Sequence, residues 1–190
     1  RIARAERDNA TFNVVPTALD VDVNQPAGTT EATASKVDVS ADGTALVVWG
    51  ERGSDSRTHL YGRRVFEQRL STSPQDLTLP DGGSADSPHL DMEDDSSYAQ
   101  VVFRQQTAQG PRIIMRRLVG TTFDAPVVLD GGVNGARAEV DLTGRGEGLY
   151  GLSGAGGEVF GGTIFNNTIT GSARLNDANG IPPLADPSVG

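Results

Sequence analysis

A single aspartate recurs along the chain at intervals of about 50 residues, each time between two apolar residues. Its three copies are Asp38, Asp91 and Asp141. As a ring around a channel, these carboxylates would suit a bound cation, because hard cations prefer oxygen ligands. As separate buried groups, each must accept hydrogen bonds from a turn of its own or a neighbouring repeat. We favour the second role, because a catalytic site rarely repeats identically in every unit.

A second acidic pattern partly matches a calcium-binding loop. Asp20, Asp22 and Asn24 alternate with other residues, and Glu31 follows Asp20 at the spacing of such loops. The glycine that the loop needs for its sharp turn is replaced by Gln25. We therefore interpret this segment as an outer strand with alternate residues in water. No cofactor is predicted, and Ca²⁺ is the metal that the pattern leaves open.

The basic residues and histidines do not form a recognisable catalytic set. A sialidase-like site would need several arginines to converge on one substrate carboxylate. The arginines of the predicted third strands instead lie at equivalent repeat positions, so we expect them to pair with acidic turns: Arg4, Arg63, Arg64, Arg116 and Arg117. His59 and His89 lie in no triad or metal-ligand spacing, and we interpret them as surface or packing residues. The sequence predicts no catalytic, cofactor-binding or metal-binding residue.

Other polar and glycine-rich clusters are typical of turns. Asn, Asp and Gly dominate turns because they tolerate a positive φ or bond to nearby backbone. We interpret three clusters in this way: Glu93–Asp95, Gly154–Gly157 and Asn176–Gly180. The glycine-rich cluster is not followed by a helix, so it does not indicate a phosphate-binding loop.

The elements that must position these residues repeat with the aspartates. Lys36–Ser40 alternates apolar and polar residues, Ala41–Thr44 is a turn signal, and Ala45–Trp49 is an apolar run, as in a hairpin. A third strand is predicted at His59–Phe66 and a fourth at Asp76–Leu79. The same order predicts strands in the next two copies: His89–Met92, Tyr98–Arg104, Arg112–Leu118, Val127–Leu129, Glu139–Leu142, Gly148–Leu152, Val159–Ile164 and Ala173–Leu175. Two further strands, Ile2–Ala5 and Val14–Val23, precede them.

Four antiparallel strands in every ~50 residues, without helices, predict an all-β protein built of β-propeller blades. Neighbouring blades cover the two apolar faces of each sheet. We expect one domain or fragment, divided into a partial blade 1–34, blades 35–86, 87–136 and 137–184, and a further blade starting at 185–190. A larger ring of roughly six to eight blades is favoured, and a self-closed four-bladed ring is the alternative. An immunoglobulin-like sandwich does not call for this period.

Two segments carry a resemblance to a known group of proteins. The segments VDVSADGTALVVWGE and RIIMRRLVGTTFDAPVVLDGG resemble the blade repeats of secreted bacterial, especially actinobacterial, β-propellers of the sialidase-like and TolB-like kinds. The resemblance covers almost the whole chain at the level of blade pattern. The aspartate box of true sialidases (Ser-x-Asp-x-Gly-x-Thr-Trp) is absent. The resemblance therefore implies a fold and an extracellular or cell-surface location, but no activity.

Composition limits the classes of partner. A net charge of −9 disfavours nucleic acid, because phosphate binding needs clustered lysines and arginines. No apolar stretch approaches the ~20 residues needed for a membrane helix. The chain has no cysteine, which excludes disulfides and thiolate chemistry. The chain begins at Arg1 without an initiator methionine, and Val189 lies in a fourth copy of the motif that has just begun. We therefore expect both ends to be cut.

Three functions are consistent with these patterns. The first is a non-enzymatic binding or scaffold propeller that contacts a protein or carbohydrate ligand through its loops. Its preferred contact loop lies between Leu19 and Val37, with Pro26–Ala34 at its centre. The second is a glycoside-active, sialidase-like enzyme, which needs two carboxylates about 5–10 Å apart around the sugar bond. The third is a structural spacer in a larger protein, where other blades or chains complete the ring.

Overall fold

The computed structural model describes residues 3–8, 11–18, 33–66, 69–70, 73–129, 134–144, 146–165 and 168–176. These residues form 17 strands and no helix, which confirms the all-β prediction. Strands β1 (Ala3–Asp8) and β2 (Thr11–Ala18) form an antiparallel pair. Every other strand belongs to one of three sheets that follow each other along the chain.

The three sheets share one antiparallel topology. Each consists of three long strands in chain order and two very short strands that both pair with the third long strand. The first sheet contains β3 (Thr33–Val39), β4 (Thr44–Arg52), β5 (Thr58–Phe66), β6 (Arg69–Leu70) and β7 (Gln75–Asp76). The second contains β8 (Ala85–Met92), β9 (Ala99–Thr107), β10 (Gly110–Val119), β11 (Thr122–Phe123) and β12 (Val127–Val128). The third contains β13 (Gly135–Thr143), β14 (Glu147–Gly154), β15 (Val159–Phe165), β16 (Thr168–Ile169) and β17 (Ala173–Arg174).

The fourth row of each sheet differs from the prediction of one continuous strand. In the first sheet, β6 pairs with the end of β5 and β7 pairs with its middle. The same division recurs in the other two sheets. In the second sheet, a tight turn after β10 forms the first short pairing, and the chain then leaves the ladder before it returns as β12.

The first strand of each sheet begins earlier than the alternation predicted. The ladder shifts register between Thr33 and Lys36, between Asp86 and His89, and between Gly135 and Arg137. A bulge of this kind inserts residues that break the period of two. His89 consequently lies in the middle of β8 and not at its start, which corrects the sequence-based placement.

The turn after β3 explains how one hairpin is held. Gly43 has a φ of +82°, a conformation that glycine adopts without a steric penalty. The Asp42 carboxylate accepts hydrogen bonds from the Ser40 hydroxyl at 2.5 Å and the Thr44 N–H at 2.7 Å. These bonds hold the pKa of Asp42 below its ordinary value, Ser40 contributing most. The predicted turn at Ala41–Thr44 is confirmed.

Consecutive sheets pack face to face through their first strands. Strand β8 contacts β3, β4 and β5, and β13 contacts β8, β9 and β10. We call the face that packs on the next sheet the forward face and the opposite one the backward face. The first interface buries the forward-face residues Leu46, Val48 and Leu60 with backward-face residues Val101 and Phe103.

The second interface is built in the same way. It buries Val102 and Met115 of the second sheet against Val140, Tyr150 and Leu152 of the third. The second sheet therefore covers apolar residues on both faces, as its nearly continuous apolar runs predict. Burial of several such side chains per interface stabilises the stack by about 1.5–3 kcal/mol for each large residue.

Candidate functional site

The recurring aspartates join neighbouring sheets through one repeated hydrogen bond. The Met92 N–H in β8 donates to Asp38 Oδ2 in β3 at 2.8 Å. The Leu142 N–H in β13 donates to Asp91 Oδ2 in β8 at 2.5 Å. Each carboxylate thus binds the backbone of the first strand in the next sheet. This confirms the predicted hydrogen-bonded role for these two aspartates.

Strand alternation aims the carboxylates at the next sheet. In β8, Leu90 and Met92 belong to the apolar core shared with the first sheet. Successive side chains of a strand point to opposite faces, so Asp91 between them faces forward. The same logic places Asp38 between Val37 and Val39 in β3. The two apolar neighbours therefore pack toward the preceding sheet, and the carboxylate between them accepts a hydrogen bond from the next sheet.

Asp91 is the most perturbed acid of this inner row. Burial raises the pKa of Asp91 to about 7, although the Leu142 N–H favours the ionised form. A hydrogen bond with the Asp38 side chain and the negative charges of Asp38 and Asp141 raise it further. A neighbouring carboxylate disfavours the ionised form of a buried acid. Asp91 is therefore the acid of this row that ionises least readily.

Asp141 holds the third position in the row. It is half-buried in β13, at the place that Asp38 and Asp91 occupy in the preceding sheets. No hydrogen-bond donor to its carboxylate occurs among residues 35–176 as far as they are described. The hydrogen bond between sheets is therefore observed twice, for Asp38 and Asp91, while the aspartate itself recurs in all three sheets.

The inner strands also line an open groove of about 440 Å³. His89 lies in it, and the Val140 N–H points at His89 Nδ1 at 3.4 Å. Burial lowers the pKa of His89, while nearby Glu139 raises it and Lys36 lowers it. His89 is thus a packing residue of the second joint, as predicted. The groove carries both charge signs, and its lining is completed by Ser35, Ser87, Pro88, Arg137 and Ala138.

The described residues contain no group of three or more histidines or acids arranged to hold a metal ion. The calcium-like pattern Asp20–Glu31 lies outside the described residues. The acidic cluster Glu93–Asp95 forms a turn, as predicted: Glu93 Oε2 accepts from the Ser96 hydroxyl at 2.6 Å. Asn176 Oδ1 accepts from the Val159 N–H at 2.9 Å, and the rest of the predicted turn Asn176–Gly180 lies outside the described residues. The Gly157 N–H donates to the Gly154 carbonyl at 3.1 Å, which closes a hairpin turn.

A second polar cluster surrounds His59 and is confined to the first sheet. His59 Nδ1 lies 2.8 Å from Asp76 Oδ2, and its Nε2 lies 3.1 Å from Asp55 Oδ2. Asp55 also binds the backbone and side chain of Arg57, which hold the pKa of Asp55 well below its ordinary value. Both ring nitrogens therefore face carboxylates, and no serine or threonine of a triad approaches Nε2. The cluster fastens the β4–β5 loop to β7, so His59 is a packing residue, one of the two roles expected for it.

The His59 cluster belongs to one end of the stacked sheets, where several loops meet. The Arg57 guanidinium donates to the Gly82 carbonyl, and the Thr58 N–H donates to the Ser84 hydroxyl at 3.1 Å. Beside them lies a groove of about 400 Å³ between the first and second sheets. Its lining includes the apolar residues Leu79, Pro80 and Val128 and the polar residues Asp81, Gln109 and Arg112.

The third-strand arginines do not converge on one site. Arg117 pairs with Asp124 in the following turn at 2.6 Å, as predicted. Arg116 instead donates to the Leu77 carbonyl of the preceding sheet at 3.3 Å. Arg64 bonds to Thr44 Oγ1 and lies 5.6 Å from the centre of the Phe66 ring. The charge of Arg64 also lowers the pKa of Asp42 in the turn after β3, in line with the predicted pairing with acidic turns. The hydrogen bond described for Arg116 is instead with a carbonyl. The Arg4 side chain lies outside the described residues.

No model of a known protein family matches the chain. A search of curated proteins likewise finds no significant similarity. Among the described residues, no helix is long and apolar enough to cross a membrane.

Proposed function

We propose that this chain is a run of successive β-propeller blades that acts as a non-enzymatic binding scaffold. The observation that carries the proposal is the joint repeated from sheet to sheet, in which Asp38 binds the Met92 N–H and Asp91 binds the Leu142 N–H. One contact applied at each step produces a regular stack, which is how repeat proteins grow. In this proposal the three sheets belong to the blades expected at 35–86, 87–136 and 137–184.

A second contact also recurs between the outer strands. The Phe123 ring lies over Gly62, where an added Cβ would be 2.8 Å from ring atoms. In the next interface, Ile169 and Met115 line one small cavity at the corresponding place. Side chains of the fourth row therefore pack on the third strand of the preceding sheet. Inner and outer contacts together fix the orientation of each step.

The ends of the stack favour a ring completed by other blades. At equivalent places in the first strands, Val37 is 64% exposed, whereas Leu90 is 7% and Val140 is 1% exposed. Leu149 and Phe165 are exposed on the third sheet. Exposed apolar sheet faces usually mark a surface that another element covers. The self-closed four-bladed ring stays the alternative, and electron microscopy of particles of the full protein distinguishes it by blade count.

The loop groove beside the His59 cluster is the proposed ligand site. Its volume falls within the ~300–1,000 Å³ typical of ligand sites. Leu79, Pro80 and the exposed Val128 offer apolar contact, and Arg112 and Asp81 lie beside them. No aromatic ring lines this groove in the described part of the chain, whereas the C–H faces of sugar rings commonly stack on aromatic side chains. We therefore propose an extended protein segment as the ligand, with carbohydrate as the alternative. The loop 26–34 lies outside the described residues and stays a prediction, as does the extracellular location.

A matched pair of variants tests the ligand site. Val128 lines the loop groove, while Val127 next to it lines a cavity on the other face of the sheet. Peptides selected from a random displayed library on the purified protein should lose binding to Val128→Asp and keep binding to Val127→Asp. A glycan array run in parallel tests the carbohydrate alternative. Equal binding of the selected peptides to both variants would refute this groove as the site.

A further inference from the structure

The second interface buries a polar side chain at a position where the first interface buries an apolar one. Gln100 of β9 lies opposite Arg117 of β10 in the sheet register. Leu46 of β4 lies opposite Arg64 of β5, so Leu46 and Gln100 hold equivalent positions in their sheets. Leu46 is 0% exposed and Gln100 is 1% exposed. A glutamine amide is therefore buried as completely as a core leucine.

The side-chain oxygen of Gln100 lacks a hydrogen bond. Gln100 Oε1 is buried and has no hydrogen-bond partner among the described residues. Ala99 and Val101 on either side belong to the core of the first interface, so alternation places Gln100 on the forward face, toward the third sheet. Leaving a buried acceptor without a donor is costly, and such groups are rare in folded proteins. The unpaired oxygen therefore indicates a place that a further group fills.

A cavity of about 390 Å³ lies beside this glutamine, and we call it the Gln100 cavity. Its volume falls within the ~300–1,000 Å³ typical of ligand sites. Arg117 and Asp124 line it and form an ion pair with each other at 2.6 Å. The other lining residues are apolar: Met115, Ala125, Val127 and Ile169. One polar amide in a mostly apolar wall is the usual composition of a small-molecule site.

The two interfaces differ in how this place is filled. In the first interface the Phe123 ring packs over Gly62. In the second interface Ile169 holds the place of Phe123, since each is the second residue of the short strand that follows the third strand. Met115 holds the place of Gly62 in the register. Methionine is unbranched and adapts its shape to its neighbours, so this wall adjusts to a bound molecule.

The lining residues specify the chemistry of the ligand. Arg117 and Asp124 neutralise each other, so the pair favours a neutral ligand over an ion. Gln100 Oε1 needs an N–H or O–H donor, and the apolar walls suit a hydrocarbon body. A primary amide both donates and accepts hydrogen bonds, as the glutamine amide does, so the two groups are complementary.

We propose that the Gln100 cavity binds a neutral small molecule that carries an amide group on an apolar body. The ligand N–H donates to Gln100 Oε1, and the apolar body contacts Met115 and Ile169. The terminal torsion of a glutamine is broad, so the amide turns into the cavity to meet the ligand. This site is separate from the loop groove, because Val127 lines the Gln100 cavity and Val128 lines the groove on the other face of the second sheet.

Methyl NMR of the full chain, labelled with ¹³C at the methionine methyl groups, tests this site. The chain has two methionines: Met115 lines the cavity, and Met92 lies in the core of the first interface. Titration with cyclohexanecarboxamide should shift the Met115 signal and leave the Met92 signal in place. Cyclohexyl methyl ketone has the same shape without the N–H donor and should bind at least about fivefold more weakly.

Two results of this titration would overturn the inference. A Met115 signal that stays unchanged up to the solubility limit of the amide would show that the cavity holds water only. Equal affinities for the amide and the ketone would show that Gln100 does not recognise the ligand.

Three variants separate the role of Gln100 from that of the cavity. Gln100→Leu introduces the residue that the first sheet has at this position, and it should abolish the preference for the amide over the ketone. Ile169→Phe copies the ring of the first interface and should weaken the binding of both molecules by filling the cavity. Val128→Asp changes only the loop groove and should bind the amide as the unmodified protein does. A preference for the amide that survives in Gln100→Leu would refute the proposed hydrogen bond.

Discussion

Replacing Asp91 with asparagine should change how the stability of the protein depends on pH. In the folded chain the pKa of Asp91 is raised from 3.8 to about 7, first by burial and then by Asp38 and Asp141. An acid with a raised folded pKa contributes stability that is fully present below its unfolded pKa. That stability is lost as the pH rises through the folded pKa. The loss for Asp91 should therefore fall between about pH 4 and pH 8.

The size of this effect follows from the same values. A rise from 3.8 to about 7 corresponds to roughly 4 kcal/mol, because one pKa unit equals 1.36 kcal/mol. Asp91 is only partly buried, so solvent screening reduces the effect, and we expect about 2–4 kcal/mol. Asparagine keeps an oxygen for the Leu142 N–H and offers an N–H to Asp38. The Asp91→Asn variant should therefore be more stable than the unmodified protein at pH 8 and close to it at pH 4.

Denaturant unfolding at several pH values measures this difference. Trp49 is the single tryptophan and is fully buried in the first sheet, so its fluorescence reports the unfolding of that sheet. Asp141→Asn is the matched control, since the same substitution at the third acceptor does not remove a pair of carboxylates in hydrogen-bond contact. If Asp91→Asn and the unmodified protein lose equal stability between pH 4 and pH 8, the raised pKa of Asp91 does not affect stability and the reasoning is wrong.

Three further predictions concern the stack and its chemistry. Asp38→Ala should cost about 1–3 kcal/mol in unfolding free energy by leaving the Met92 N–H unpaired, and Asp38→Asn should cost less. Gly62→Ala should cost about 1–3 kcal/mol by pushing against the Phe123 ring, while Gly171→Ala, with nothing within 4 Å, should be nearly neutral in thermal melts. A panel of aryl glycosides should give no turnover, and turnover that disappears on replacing one acidic residue would contradict the non-enzymatic proposal.

Much of the fold could be predicted because its signals are local. Alternation in Lys36–Ser40, the turn glycine Gly43 and the apolar run Ala45–Trp49 each depend on neighbours in sequence, and the structure confirms the hairpin they predict. The bulges that start each first strand could not be predicted, because an inserted residue removes the alternation itself. The split fourth row was missed for a similar reason, since two-residue strands are too short to show a period.

The polar sites could be predicted only where the same residue type recurs in each repeat. The joint made by Asp38 and Asp91 was anticipated because the aspartates recur between apolar residues. The raised pKa of Asp91 depends on how closely two sheets stack, which no local pattern encodes. The His59 cluster was missed because its partner Asp76 is 17 residues away in the chain. It meets His59 only where β7 returns to pair with β5, next to Tyr61.

The broken fourth row has a consequence for behaviour in concentrated solution. In the described residues, the outer edge of each sheet offers two short ladders, such as β11 and β12, which are separated by chain that leaves the sheet. A foreign strand needs a long, flat row of free backbone groups to add to a sheet, and aggregation through such edges is a general hazard of β proteins. The two short strands at the outer edge of each sheet do not provide such a row of backbone groups. At high concentration, molecules of this protein should therefore not form fibrils by pairing these outer edges.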